Sequence, residues 1–193
     1  MIEKKHFELI RNAFFIYDKE FNNYEFTYTY KHRLTKKNMQ MKIVFTPGNF
    51  MHLCGVKYDY SATQFYKAIK RKKISLKKIH VKDDGSTGQK LQIIHLLELL
   101  SSSGVRICDN GSFYNLSFDK AIRTSKMIIA LTCVRTENQY APQSLLALNG
   151  TTNKNLSKSL LESHEVVKIE KVKIGTNDIS KTIFEKTDKK VKK

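Results

Sequence analysis

One histidine of the chain, His52, stands in a setting suited to proton transfer. It follows a strand-like run that ends at Pro47-Gly48, and it lies between the apolar residues Met51 and Leu53. Imidazole has the ordinary pKa nearest to neutral pH, so it can both accept and donate a proton there. The same setting is typical of a half-buried histidine that only makes a hydrogen bond. His52 is therefore a candidate acid or base, with a structural role as the alternative.

A second stretch, residues 140–146, also places polar groups among apolar neighbours. Tyr140 and Ser144 follow a predicted buried strand at residues 127–134. We interpret this stretch and the one around His52 as two walls of one site. Two other interpretations stay open: Ser144 could cap a helix that begins at Gln143, and Tyr140 could be a packing aromatic.

The polar residues of these stretches suit the cleavage of RNA, in which the ribose hydroxyl itself attacks the neighbouring phosphate. The protein then has to take up one proton, return one, and stabilise added negative charge. Histidine suits the proton transfers, while Lys, Arg, Ser and Tyr are suitable donors to the charged phosphate. The candidate set consists of His52, Lys90, Arg135, Tyr140 and Ser144.

Metal-dependent and nucleotide-binding signatures are missing from the sequence. It contains no HExxH, GxSxG or GxxxxGK[ST] pattern. Asp83-Asp84 is its only adjacent acidic pair, whereas a two-metal nuclease needs several carboxylates around the ions. We therefore expect no metal and no cofactor.

The chain carries a large excess of positive charge. Its 35 Lys and Arg residues against 18 Asp and Glu residues give a net charge of +17. A protein with this balance attracts polyanions, of which nucleic acid is the commonest and a membrane surface the next. The alternative is a lysine-rich surface that is only solvated.

The densest positive segment is residues 67–82, with eight Lys or Arg residues and no acidic residue. Such a segment is a candidate for contacts with nucleic-acid phosphates, and a neighbouring tyrosine could stack on an unpaired base. The predicted nucleic-acid-binding residues are Tyr66, Lys67, Lys70, Arg71, Lys72, Lys73 and Arg135.

The three cysteines, Cys54, Cys108 and Cys133, are far apart and form no CxxC pair. They indicate buried, reduced thiols rather than a disulfide framework or a zinc ribbon. The first residues have no apolar segment of signal-peptide type, and the apolar runs are too short to cross a bilayer. We expect a cytoplasmic protein with no membrane partner.

Hydrophobic periodicity predicts a mixture of helices and strands. Helices are predicted at residues 2–17, 61–71 and 90–100, and strands at 24–31, 39–45, 105–108, 127–134 and 166–174. The first two strands should form an antiparallel hairpin, and Asp109-Asn110-Gly111 is typical of a hairpin turn. We predict one domain over residues 1–174 and a basic, flexible tail over 175–193.

The order and spacing of several short motifs resemble a known nuclease family. These are Phe50-x-His52-Leu53-x-Gly55, Phe65-Tyr66, Lys90-Leu91 and Tyr140-x-Pro142-x-Ser144-Leu145-Leu146. Together they resemble the phage-associated branch of the barnase–EndoU–colicin–RelE-like (BECR) nucleases. Cys54 departs from the small hydroxyl residue expected at its position.

The resemblance implies an α+β fold in which N-terminal helices pack on a curved antiparallel sheet. It also implies metal-independent RNA cleavage, often by toxins in phage conflict, with His52 as acid or base and Lys90 and Ser144 as phosphate contacts. The matching polar residues are His52, Tyr66, Lys90, Tyr140 and Ser144. We predict an endoribonuclease toxin whose partners are RNA and a cognate antitoxin. The alternatives are a non-catalytic RNA- or DNA-binding module of a phage or defence complex, and a protein adaptor.

Overall fold

A computed structural model describes residues 2–148 and 158–187 of the chain. Its described α-helices are α1 (Lys4–Glu20), α2 (Pro47–Cys54), α3 (Ala62–Lys70), α4 (Ser86–Ile93) and α5 (Lys158–Leu161). Two 3₁₀ helices cover Leu76–Lys78 and Ile94–Ser101. None of the helices in these ranges is both long and apolar enough to cross a membrane.

Twelve strands lie in the described ranges. They are β1 (Tyr24–Lys31), β2 (Asn38–Phe45), β3 (Val56–Tyr58), β4 (Ile79–Val81), β5 (Val105–Cys108), β6 (Gly111–Phe113), β7 (Leu116–Phe118), β8 (Lys120–Thr124), β9 (Ile129–Arg135), β10 (Tyr140–Ala147), β11 (His164–Lys173) and β12 (Lys181–Glu185). β3 pairs with β4 and β6 with β7, each as a small separate sheet. The other eight strands form one sheet.

The large sheet closes into a barrel and in this respect differs from the predicted curved antiparallel sheet. The strand order is β1-β2-β10-β9-β8-β5-β11, and β11 pairs back with β1. β11 can do this because it is ten residues long: its first residues pair with β5 on one edge, and Glu165–Lys173 pair with β1 on the other. All of these pairings are antiparallel except β2–β10, which is a single parallel contact between Ile43 and Tyr140.

Residues beyond 174 contribute a strand to this sheet. β12 runs antiparallel to β11, where Lys168 faces Glu185 and Ile169 faces Phe184. Residues 181–185 of the predicted basic tail at 175–193 therefore form an edge strand. Its residues 188–193 lie outside the described ranges.

Several predicted elements are confirmed, and two differ in form. The hairpin of β1 and β2, helix α1 and the central strand β9 occur as expected. The apolar helix predicted at 90–100 is α4 followed by a 3₁₀ segment. The turn predicted at Asp109–Gly111 does not join two paired strands, because β5 pairs with β8 and β6 pairs with β7.

An aromatic core joins the helices to the barrel. Tyr17 of α1 and Phe21, which directly follows α1, pack against Phe45 of β2, and Tyr17 also packs against Phe50 of α2. The Tyr28 hydroxyl donates to the Leu100 carbonyl at 2.9 Å, which fixes the 3₁₀ segment on the strands. A second apolar cluster covers the opposite face of β8, β9 and β10, so these strands are buried on both sides.

The local sequence of α2 sets the position of His52. The Thr46 amide donates to Asn49 Oδ1 at 2.7 Å at the start of the helix, and Pro47 occupies its first position. The helix stops at Gly55, whose φ of 68° lies in the left-handed region that glycine adopts without strain. His52 consequently lies in the last turn of a short helix with fixed ends.

Candidate active site

A cleft of about 1080 Å³ opens beside the barrel and contains His52, Lys90 and Ser144 in its lining. Its walls come from α2, α4 with the 3₁₀ segment that follows it, strand β10 and the turn of the β6–β7 hairpin. The predicted two walls of one site therefore do face a common space. Other polar side chains in the lining are Lys82, Asp84, Ser86, Gln89, Gln92, His95, Tyr114, Asn115 and Gln143.

The cleft lies at the seam of the barrel. Since β10 meets β2 only at Tyr140, the rest of that edge of β10 is packed by α2 and α4. Asn49 of α2 reaches across the seam, and its Nδ2 donates to the Pro142 carbonyl at 3.4 Å. The helices that carry His52 and Lys90 are thereby held against the strand that carries Ser144.

Lys90 is a buried cation at this seam. Its side chain lies on α4, the residue is only 8% exposed, and Nζ donates to the His52 carbonyl at 3.5 Å. Burial, together with the positive charge of Lys82, lowers the pKa of Lys90 to about 8. The ammonium is thus mostly charged at neutral pH, yet close to the pH at which it can release its proton.

His52 is exposed to the cleft and is only partly desolvated by its surroundings. Partial burial, followed by the charges of Lys82 and Lys90, lowers the pKa of the imidazole. The ring makes no hydrogen bond with another residue of the described ranges, so both nitrogens are open to a ligand. A neutral imidazole with a free lone pair is the form required of a general base.

A close contact between Gly55 and α4 joins the two helices. The Thr87 hydroxyl donates to the Gly55 carbonyl at 2.5 Å and accepts from the Lys82 amide at 2.9 Å. A Cβ on Gly55 would lie 2.7 Å from Cδ of Lys90 and 3.3 Å from Cα of Thr87. Only a glycine therefore lets the Lys90 stem pass this close to the end of α2.

We expect Gly55→Ala to lower the free energy of unfolding by about 1–2 kcal/mol, because alanine disfavours a positive φ. The added methyl group should also displace Lys90 and reduce activity. Gly88→Ala on α4 is the matched control, since the added Cβ would meet no atom within 4 Å. Alanine should also favour the helical conformation more than glycine does. Thermal unfolding of the two variants tests this, and equal stability of Gly55→Ala and the wild type would contradict it.

Ser144 lies in a strand, so the helix that it could have capped does not form. The pairing of β10 with β9 shifts register between Pro142 and Ser144, and this bulge changes the alternation of side chains beside the cleft. Ser144 is 6% exposed, and its carbonyl accepts from the Thr132 hydroxyl at 3.2 Å. Nearby, Gln143 Oε1 is buried without a partner in the described ranges.

Tyr140 and Arg135 are not part of this cleft. They lie in a separate surface depression at the other end of β10, together with Lys42 and Glu137. The two residues face each other across the β9–β10 pair. Their sequence distance from Ser144 gave no sign of this separation, because a strand of eight residues carries its two ends to different surfaces.

Tyr66 is buried and cannot stack on a base as predicted. The residue is 3% exposed, its ring packs on Phe14, and its hydroxyl donates to the Asp18 carboxylate. The predicted phosphate-binding cations beside it are exposed, although Lys70 also pairs with Asp18 at 3.1 Å. The exposed cations are Lys67, Lys70, Arg71, Lys72 and Lys73.

A second polar cluster joins the turn after β1, the end of β5 and the start of β11. His32, Asp109 and His164 each offer one ligand atom, and these atoms lie within 4.8 Å of one another. Asp109 accepts from Lys120 Nζ at 2.5 Å and lies 2.9 Å from His164 Nε2. In the described ranges, these three side chains are the group with the spacing to hold a metal ion.

The hydrogen bonds of this cluster fix the protons of His164. The Arg33 amide donates to Nδ1 of His164 at 2.9 Å, so Nε2 of the neutral ring carries the proton that Asp109 accepts. A ring in this tautomer has no free lone pair for a metal ion or for proton abstraction. The cluster is satisfied internally, whereas the His52 imidazole remains open to a ligand.

The sequence patterns did not indicate that Lys82, Ser86 and Gln143 lie in the cleft. Lys82 is the last residue of the basic segment, but no motif or residue spacing in the sequence indicated that it lies beside His52. Its neighbourhood depends on the β3–β4 pair, in which Val56 after α2 faces Val81 before α4. This pairing between remote segments brings the ends of the two helices together.

One of the comparisons with known proteins gave a match. The family model described as phage-Barnase-EndoU-ColicinE5/D-RelE like nuclease4 matches residues 9–192. No curated protein and no solved structure matches the chain. Because the family model covers nearly all of the sequence, including both walls of the cleft, the chain belongs to this family of BECR-type nucleases.

Proposed function

We propose that the protein is a metal-independent endoribonuclease that cleaves RNA by acid–base transesterification in the His52 cleft. The observation that supports this most strongly is the presence of a free imidazole and a buried, low-pKa lysine in one cleft. The family supplies the broader class, a nuclease. The residues in the cleft support our choice of RNA as the substrate and of a metal-free route.

In the proposed reaction, His52 takes the proton of the ribose 2′-hydroxyl as the 2′-oxygen attacks phosphorus. The bond from phosphorus to the 5′-oxygen breaks, and the Lys90 ammonium gives that oxygen a proton. The Lys90 charge also stabilises the extra negative charge on the phosphate, helped by Ser144 and Lys82 as hydrogen-bond donors. The products are a 2′,3′-cyclic phosphate and a 5′-hydroxyl.

The surface charge provides the means to bring RNA to this cleft. Lys82 lies in the cleft lining and ends the basic segment that begins at Lys67 on α3. Electrostatic attraction to such a surface accelerates the encounter with a polyanion and weakens as salt increases. In a cell, uncontrolled RNA cleavage would arrest growth, so we propose a toxin role with a cognate antitoxin as partner.

The proposal is tested by incubating labelled RNA and the same sequence in 2′-O-methyl form with the protein in EDTA. Cleavage of RNA alone is expected, because only RNA supplies the internal nucleophile. Loss of cleavage in EDTA, or equal cleavage of the methylated strand, would overturn the mechanism. Binding of both strands with no cleavage would instead support the non-catalytic binding module.

A further inference from the structure

An exposed tyrosine, Tyr114, lies at the mouth of the cleft. It belongs to the Tyr114-Asn115 turn between β6 and β7, it is 71% exposed, and it lines the same cleft as His52 and Lys90. A large aromatic ring held in solvent loses the free energy that burial would provide. Because the exposed ring lies at the mouth of the cleft, a ligand bound there could cover it.

The backbone at Tyr114 is also unusual. Its φ of 50° lies in the left-handed region, which bulky side chains rarely adopt. The Phe113 ring packs edge-on against the Tyr114 ring, with centroids 4.7 Å apart and planes at 81°. This contact supports one side of the phenol ring and leaves ring surface exposed beside the cleft.

The hairpin that carries Tyr114 is anchored to the body of the protein. Gln143 Nε2 of β10 donates to the Ser117 carbonyl of β7 at 3.1 Å. At the base of the hairpin, Gly111 packs so closely on Ser159 that a Cβ would lie 1.9 Å from its Oγ. Phe113 and Leu116 pack against the second apolar cluster. The turn is consequently held in place above the cleft by contacts on both strands.

We infer that Tyr114 is a stacking platform for an unpaired base of single-stranded RNA bound in the cleft. This inference rests on the proposed function, and it adds that the substrate is unpaired next to the cleavage site. A ring face is available to any base, while the cations of the cleft hold the phosphates. A base inside a duplex is already stacked on its neighbours and cannot use the platform.

The test measures binding rather than cleavage. A His52→Ala background is titrated with fluorescent 2′-O-methyl RNA, once as a single strand and once as a duplex. Tyr114→Ala is expected to weaken single-strand binding by about tenfold, because stacking on an aromatic residue contributes strongly to affinity. Tyr114→Trp should keep the affinity, and duplex binding should not depend on the residue at this position.

Phe15→Ala is the matched control, since Phe15 is 62% exposed and lies in a different surface depression. It should leave binding unchanged. Tyr114→Gly removes the ring and also the strain of the positive φ. If this variant binds the single strand weakly while its melting temperature is no lower than that of the wild type, the loss of binding is due to the missing ring and supports the platform. Equal single-strand affinity of Tyr114→Ala and its parent would overturn the inference, even if wild-type RNA cleavage is observed. If binding depends on the Tyr114 ring but the wild-type protein does not cleave RNA, the proposed nuclease activity is overturned and the stacking platform is not.

Discussion

Replacing His52 with alanine is expected to lower the rate of RNA cleavage by about 10²- to 10⁴-fold, the usual contribution of a positioned general base. The imidazole has no hydrogen-bond partner among the described residues, so its removal should disturb the fold little. RNA binding should remain close to that of the wild type. The measurement is a single-turnover cleavage assay at saturating protein, supported by thermal unfolding of both proteins.

The acid limb of the pH profile tests the same role. Because partial burial and two nearby lysines lower the pKa of His52, kcat/KM should rise with pH through a value below 6.5, the ordinary imidazole value. His52→Gln, which keeps a polar side chain but cannot accept a proton, should be as slow as His52→Ala. A His52→Gln enzyme that retains most of its activity would rule out proton transfer by this residue.

Replacing Lys90 with methionine should reduce the cleavage rate by about 10²- to 10³-fold, the effect of removing one donor to a developing negative charge. Methionine matches the unbranched, buried stem of lysine, so the change removes the charge and leaves little cavity. The protein should become no less stable, because a partly desolvated ammonium is lost. The rate and the melting temperature are measured on the same preparation.

The alkaline limb identifies the lysine. Wild-type kcat/KM should fall as pH rises through about 8, the pKa to which burial lowers Lys90. The residual activity of Lys90→Met should lack this fall. Lys19→Met is the control, because Lys19 is largely exposed on α1 and should not affect either limb. A Lys90→Met enzyme with wild-type rate and an unchanged alkaline limb would contradict the assignment.

Sequence periodicity predicted the elements better than their assembly. The alternation of Phe26, Tyr28 and Tyr30 is sufficient to identify β1 from the sequence. In the structure, all three side chains point inward and are buried. Barrel closure depends instead on the pairing of β1 with β11, two segments separated by more than a hundred residues. No local pattern distinguishes a strand with two partners from one at the edge of an open sheet.

The residues of the candidate site were likewise easier to predict than the contacts that bring them together. His52, Lys90 and Ser144 share a cleft as expected, and their positions depend on the end of α2, the contact between Gly55 and Lys90, and the bulge in β10. Tyr140 shares a motif with Ser144 but lies at the end of β10 that is away from the cleft. Tyr66 could not be identified as a core residue, because its burial depends on contacts with α1, far away in sequence.

Tyr114 illustrates a site residue with no sequence signal. The segment at 113–118 contains three aromatic residues, and aromatic residues are common in strands. Its exposure results from a two-residue turn between β6 and β7, anchored by the distant residues Gln143 and Ser159. Such a residue can be recognised only when the partners of its hairpin are known.

The central claim is tested most directly by the chemistry of the product ends. RNA is digested in EDTA, and the fragments are analysed by mass spectrometry before and after mild acid. Internal attack by the 2′-hydroxyl predicts 2′,3′-cyclic phosphate ends that open in acid, each facing a fragment with a 5′-hydroxyl. Fragments with 3′-hydroxyl and 5′-phosphate ends would show attack by water and would contradict proton transfer from the ribose to His52.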